Sequence, residues 1–142
     1  MSVIITLVGI PASGKSTFAE EYRKKGYVIA STDETRKTLY GDETIQGNIK
    51  DVLRVVYGIV EDAVKNHKNV VVDSTALTPG ERMRILKFPA RHIAVCFDTP
   101  IEECLCRNRK RERHVPERII FRMYERMIYP SEEEGFEKVF FM

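Results

Sequence analysis

Five short apolar runs punctuate the chain: VIITLVG at 3–9, YVIA at 27–30, NVVVD at 69–73, HIAVCFD at 92–98 and KVFFM at 138–142. Runs of this length that are apolar throughout, rather than alternating with polar positions, predict strands buried on both faces of a parallel sheet. Segments with helical period fit between them, at about 15–25, 33–40, 47–67, 79–87, 100–109 and 115–128. The alternation predicts an α/β, doubly wound, five-stranded parallel sheet. Thr78-Pro79 and Thr99-Pro100 each set a hydroxyl cap before a proline at the first helical position, and Gly26 suits the stop after the first helix. In sheets of this kind ligands bind beyond the carboxyl ends of the strands, so functional residues are expected just after strand ends.

Composition narrows the class. A chain of 142 residues with 43% hydrophobic and 31% charged residues suits one globular domain, here 1–142. The net charge of +2 is too small to imply nucleic-acid binding by itself, so any basic footprint must be local. Cys96, Cys104 and Cys106 are odd in number and follow no signal-like segment, which predicts a reducing, cytoplasmic setting with all three as small apolar fillers. Cys104 and Cys106 lack the paired spacing of a zinc site. The apolar start, MSVIITLVGI, lacks a basic leader region and reads as a buried strand. No segment is long enough to cross a membrane. Neither repeats nor low-complexity tracts occur, and oligomeric state is open.

The first strand runs directly into GIPASGKS, residues 9–16, a full match to G-x-x-x-x-G-K-[ST] between a strand and a helix. Gly9 and Gly14 let backbone amides turn toward an anion, Lys15 neutralises β and γ oxygens, and Ser16 can ligate magnesium. Ala12, Ser13 and Thr17 complete the cradle, and the helix dipole adds positive charge there. The implied ligand is ATP, or another nucleoside triphosphate, with Mg2+. A GTPase would need Asn-Lys-x-Asp after a strand; NHKN at 66–69 lacks the Asp and precedes one. A large motor ATPase would carry more chain. A kinase needs a base on the acceptor side, and Asp33, just past the second strand, is placed to take a proton from an attacking hydroxyl. Arg36, one helical turn on, could grip an anionic group of the acceptor. Asp33 could also be a plain helix N-cap, which would leave Arg36 unexplained. Asp73 ends the third strand, where a carboxylate can orient magnesium or its waters, with Ser74 and Thr75 facing the same crevice; a loop cap is the alternative. Arg82, in the next helix, has no reading beyond a solvated charge.

After the fourth strand comes FDTPIEECLCRNRKRERHVPERI, 97–119, crowding Arg107, Arg109, Lys110, Arg111 and Arg113 into one short segment. Like charges at this density repel unless a polyphosphate lies beneath them, so a lid over about 107–116 is expected to close on the nucleotide. A basic solvated helix or a nucleic-acid patch is the alternative.

Taken together, these residues resemble the kinase domain of the bacteriophage polynucleotide 5′-kinases, within the AAA-like P-loop phosphotransferases. The likeness runs over nearly the whole chain: the phosphate loop, the Asp-x-x-Arg of Asp33 and Arg36, DSTALTPGER at 73–82, and the lid. The resemblance implies Asp33 as general base, Arg36 on the phosphate next to the acceptor nucleoside, and Val115 as a wall of the acceptor base site. It implies a lid arginine on the β and γ phosphates, Arg111 in an ungapped alignment and Arg109 or Arg113 if a gap falls earlier; Arg107 is counted with the nucleotide contacts. Thr75 replaces the family's Asn after Asp73. The implied activity is transfer of the ATP γ-phosphate to the 5′-hydroxyl end of DNA or RNA, a nucleic-acid repair chemistry, in the host cytoplasm if phage-encoded. No D-x-D-x-T motif occurs and the chain ends with the fifth strand, so no phosphatase domain is expected. Kinases of small molecules, nucleosides or tRNA-bound amino acids share the scaffold and are the alternative, with a noncatalytic ATP-binding module behind them. YGDETIQGN, 40–48, would border the acceptor path.

Overall fold

The computed structural model describes residues 1–112 and 114–142. Its elements run β1 (Val3–Val8), α1 (Lys15–Lys24), β2 (Val28–Ser31), α2 (Thr32–Tyr40), α3 (Ile49–Lys65), β3 (Val70–Asp73), α4 (Pro79–Leu86), β4 (Arg91–Cys96), α5 (Ile101–Lys110), α6 (Glu117–Arg126) and β5 (Lys138–Phe141). A single 3-10 turn, Glu132–Glu134, precedes β5. Each apolar run became a strand and each helical stretch a helix, within a few residues at the ends.

The strands form one sheet in the order β2-β3-β1-β4-β5, every pair parallel. β1 lies at the centre, with Ile5 opposite Val71 of β3 and Ile93 of β4. Because side chains alternate across a strand, β1 feeds two cores. Ile4 joins Val70, Val72 and the buried stripe Val52, Val56, Val60 and Ala63 of α3 on one face. On the other, Ile5 and Leu7 join Val71, Val95, Phe97 and Ala19 of α1. The α3 stripe recurs at the spacing of one helix face, which explains why this long helix lies flat on the sheet. A third cluster, Ile10, Leu77, Cys104, Leu105 and Ile120, packs α5 and α6 against the ends of the loops that follow β1 and β3.

The local signals held at two ends and failed at a third. Thr78 caps α4, accepting from the Glu81 N–H, with Pro79 in the first turn. Gly26, at φ +94°, follows the last turn of α1 in the left-handed region. Thr99, however, does not cap α5, whose N-cap is Pro100; its hydroxyl donates 2.8 Å to the Ser13 carbonyl instead. The hydroxyl is drawn to the phosphate loop, a partner distant in sequence. Two further expectations are corrected. Cys96 and Cys104 are buried fillers, but Cys106 is exposed on the outer side of α5. Arg82 is no solvated charge: it is fully buried in a fork with Glu134.

Candidate active site

The loop between β1 and α1 owes its shape to a few backbone constraints. Ala12, at φ +65°, and Gly14, at φ +113°, both sit in the positive-φ region, a combination that turns successive amides into a concave, anion-binding nest. At Gly9 an added Cβ would lie 2.7 Å from Ser13 Oγ and 3.2 Å from Phe97 Cβ, so only glycine fits. α1 starts at Lys15 with no side-chain cap and no acid in its first turn, leaving its leading amides for an outside anion. Two neighbouring strand ends pin the loop. Gly9 N donates to Thr75 O, and Thr99 donates to Ser13 O.

Lys15 is buried, its ammonium donating 2.8 Å to Gly9 O and 2.9 Å to Ile10 O. Burial pulls its pKa down to about 8, against the pull of Asp73 and Asp33, which favour the charged form. Burial pushes the Asp73 carboxyl up, while Lys15 and a hydrogen bond from the Ser16 hydroxyl hold it down. Ser13 Oγ is buried without a hydrogen-bond partner among the described residues. A cradle of inward amides, a buried ammonium and an orphaned hydroxyl fit a polyphosphate. Among the described residues no three His, Cys, Asp or Glu side chains group as a metal cage. Ser16 beside Asp73 therefore fits a magnesium ion carried mainly by phosphate oxygens and water, the usual manner for that cation.

The same cleft is lined by α2. Its N-cap is Ser31, whose Oγ accepts from Glu34 N, so Asp33 sits inside the first turn and is not the cap. The Asp33 carboxylate accepts 3.3 Å from Arg36 Nη1. The Arg36 side chain is only 13% exposed, and its Nε is buried with no hydrogen-bond partner among the described residues. Asp33 and Arg36 line one cleft of about 1400 Å³ with Lys15, Ser16, Asp73 and Thr75. Ala12, Ser13, Gly14 and Thr17 form its phosphate-loop wall; Gly9 lies behind them and acts through the loop's shape. The 40–48 segment borders the same cleft through Glu43, Thr44 and Gln46.

The arginine-rich segment divides. Arg107, in the last turns of α5, reaches Ala12 O at 3.5 Å and pairs with Glu103 at 2.6 Å. Arg111, just past α5, lines the cleft, close enough for its charge to oppose that of Lys15. Arg109 turns outward into a fork with Glu117, at 2.9 and 3.1 Å, and does not line the cleft. Arg113 lies outside the described residues. Val115 lines the cleft, held by a residue that sequence reasoning passed over. Asn108 is buried; its Oδ1 accepts 3.0 Å from Val115 N and its Nδ2 donates 2.8 Å to Val115 O. His114 Nδ1 donates to the Asn108 carbonyl at 2.6 Å. One asparagine among arginines carries no sequence signal of such a clamp. Arg82 was also missed: Nη1 donates 2.7 Å to Ala76 O, while Nε and Nη2 grip Glu134 at 2.8 and 3.0 Å. It thereby fixes the β3 exit carrying Asp73 and Thr75.

Comparison with known proteins bears on the family and the fold. Residues 4–130 match the family model described as an AAA domain. The L-seryl-tRNA(Sec) kinase of Methanococcus maripaludis is 26% identical over 140 residues, covering 91% of this chain and 54% of that protein. The chain thus spans about half the length of that relative. A chain of the Pnkp1/Rnl/Hen1 RNA repair complex matches with a TM-score of 0.78 and 23% identity, over 88% of this chain and 43% of that one. A sugar kinase from Janibacter sp. HTCC2649 matches with a TM-score of 0.76 and 17% identity, over 100% and 85%. The structural likenesses speak for the fold alone, which is that of the phosphate-loop kinases.

Proposed function

The chain belongs to the AAA domain family, and from that premise we propose that it is an ATP-dependent polynucleotide kinase, transferring the γ-phosphate to a 5′-hydroxyl of DNA or RNA. The observation that carries the reading is the pair Asp33 and Arg36, facing the phosphate loop across one cleft, the arginine with an unpartnered buried Nε. A carboxylate beside the outer end of a triphosphate suits removal of a proton from an alcohol. A guanidinium one turn further suits a phosphate on that alcohol's own molecule. A sugar or nucleoside substrate would give it no such anion.

The roles follow from position. The amides of 12–16 and the Lys15 ammonium bind the triphosphate. When bound, a magnesium ion beside Ser16 and Asp73 would neutralise β and γ oxygens. Asp33 takes the hydroxyl proton, and Arg36 fixes the acceptor through its adjacent phosphate. Arg111, with Arg107 beside it, offsets charge on the transferring group. Val115, held by Asn108, walls the acceptor side, with Thr75 near it. Phosphoryl transfer wants donor and acceptor oxygens in line, and the phosphate loop and α2 lining one cleft support that arrangement.

The similarity to a kinase of tRNA-bound serine favours a second reading, in which the acceptor hydroxyl is that of an aminoacyl-tRNA. A panel with γ-labelled ATP tests both: 5′-hydroxyl DNA and RNA oligonucleotides, seryl-tRNA, nucleosides and sugars. Label on 5′-hydroxyl ends supports the first reading. Label only on seryl-tRNA supports the second, and label only on sugars or nucleosides contradicts both.

A further inference from the structure

The acceptor arm of the cleft does not end at Asp33 and Arg36. It continues between α3 and α4, where Tyr57 and Arg84 line both it and a second open groove of about 640 Å³. Lys50, Arg54, Gly58 and Glu61 of α3 form the rest of that groove. The Arg84 guanidinium lies 4.8 Å from the centre of the Tyr57 ring, and among the described residues it makes no ion pair. Glu61 is engaged by Lys65 at 2.9 Å and Asp51 by Arg54 at 2.7 Å, so Lys50 and Arg84 leave the groove with a surplus of positive charge. Gly58 is the odd residue. It sits exposed in the middle of α3, where glycine weakens a helix, yet a Cβ there would meet nothing within 4 Å. Neither backbone shape nor packing within the chain calls for it; close approach of something else to the helix would.

We propose that the groove between α3 and α4, floored by Gly58 and flanked by Lys50, Arg54, Tyr57 and Arg84, binds the single-stranded nucleic acid trailing behind the acceptor hydroxyl. This rests on the polynucleotide reading above and extends it. A positive groove with an aromatic face is the general means of holding a single strand without reading its sequence. The Arg84 guanidinium, lying over the Tyr57 ring, offers a planar cationic face on which a base can stack, and Lys50 offers charge to the phosphates that follow. The modest net charge of the whole chain is compatible, since the footprint needs only a few nucleotides.

The test measures binding and turnover separately. A fluorescein-labelled 5′-hydroxyl oligonucleotide of about eight residues is titrated by anisotropy against the full chain, the double variant Lys50→Glu/Arg84→Glu, and Gly58→Gln. These positions are exposed and Gln favours the helix, so unchanged melting temperatures are expected. The Kd should rise roughly tenfold in the double variant, with a flatter salt dependence. The preference in kcat/KM for the oligonucleotide over a nucleoside 3′-monophosphate should collapse toward one in both variants. Unchanged Kd and unchanged preference would overturn the proposal. If the wild type binds the oligonucleotide through these residues but phosphorylates none of the panel, the groove stands and the kinase reading falls. If it phosphorylates short and long acceptors equally and fails to bind the oligonucleotide, the groove falls and the kinase reading stands.

Discussion

Asp33 was open to two readings in the sequence, base or helix cap, and the Ser31 cap removes the second. Asp33→Asn should lower kcat by about 10²–10⁴-fold while leaving ATP affinity nearly intact, as read by labelled-ATP turnover and calorimetry. Near-normal turnover would refute the base. Arg36→Gln should raise KM for an acceptor with a 3′-phosphate and little affect a bare nucleoside; equal losses would place Arg36 on the donor or in the structure. Lys15 yields a pH dependence. Between about 8 and 10.5 it is neutral when folded and charged when unfolded, so the unfolded state binds the extra proton. By linkage, its contribution then makes stability rise with pH across that window. A triphosphate favours the ammonium, so ATP affinity should fall as pH rises through about 8, with proton uptake on binding. Calorimetry in two buffers of different ionisation enthalpy checks this, and absence of uptake just above that pH would contradict the depressed amine.

At the scale of elements, whatever depended on neighbours in sequence was legible. Apolar runs gave the strands, the 3.6 period gave α3, and Thr78-Pro79 gave the start of α4. Two of the failures share one cause, partners far along the chain. Thr99 leaves its cap for Ser13, 86 residues away, and Arg82 meets Glu134, 52 residues away. Neither distance is readable from local pattern, and a buried arginine is indistinguishable in sequence from a solvated one. The structure turns two residues that local pattern did not reveal, Arg82 and Asn108, into expectations. Glu134→Ala strands a buried guanidinium and should cost about 3–5 kcal/mol by urea unfolding; a loss below about 1 kcal/mol would mean that Arg82 re-pairs or reaches water. Asn108→Ala removes both bonds that hold Val115, each worth about 0.5–1.5 kcal/mol. It should raise acceptor KM more than ATP KM, and an equal rise in both would deny it that selective role.

For the whole molecule, the strand order decides which residues can meet. With β1 central, β3 beside it and β2 next, the exits of three strands bring the phosphate loop, Asp73 and Asp33 to one cleft, as the sheet rule anticipated. The arginine-rich segment was legible as composition but not as geometry: only contacts in space separate Arg111, at the cleft, from Arg109, tied to Glu117. The proposed acceptor was suggested only by a likeness, because a hydroxyl carries no motif of its own. The central claim is therefore positional, an alcohol of a polynucleotide seated between Asp33 and the terminal phosphate. A crystal structure with ADP, a metal-fluoride phosphate mimic and a 5′-hydroxyl dinucleotide tests it most directly. The account predicts the 5′-oxygen about 2.6–3.2 Å from the Asp33 carboxylate, in line with the mimic, and Arg36 on the dinucleotide's phosphate. A dinucleotide bound away from α2, or a 5′-oxygen with no contact to Asp33, would contradict it.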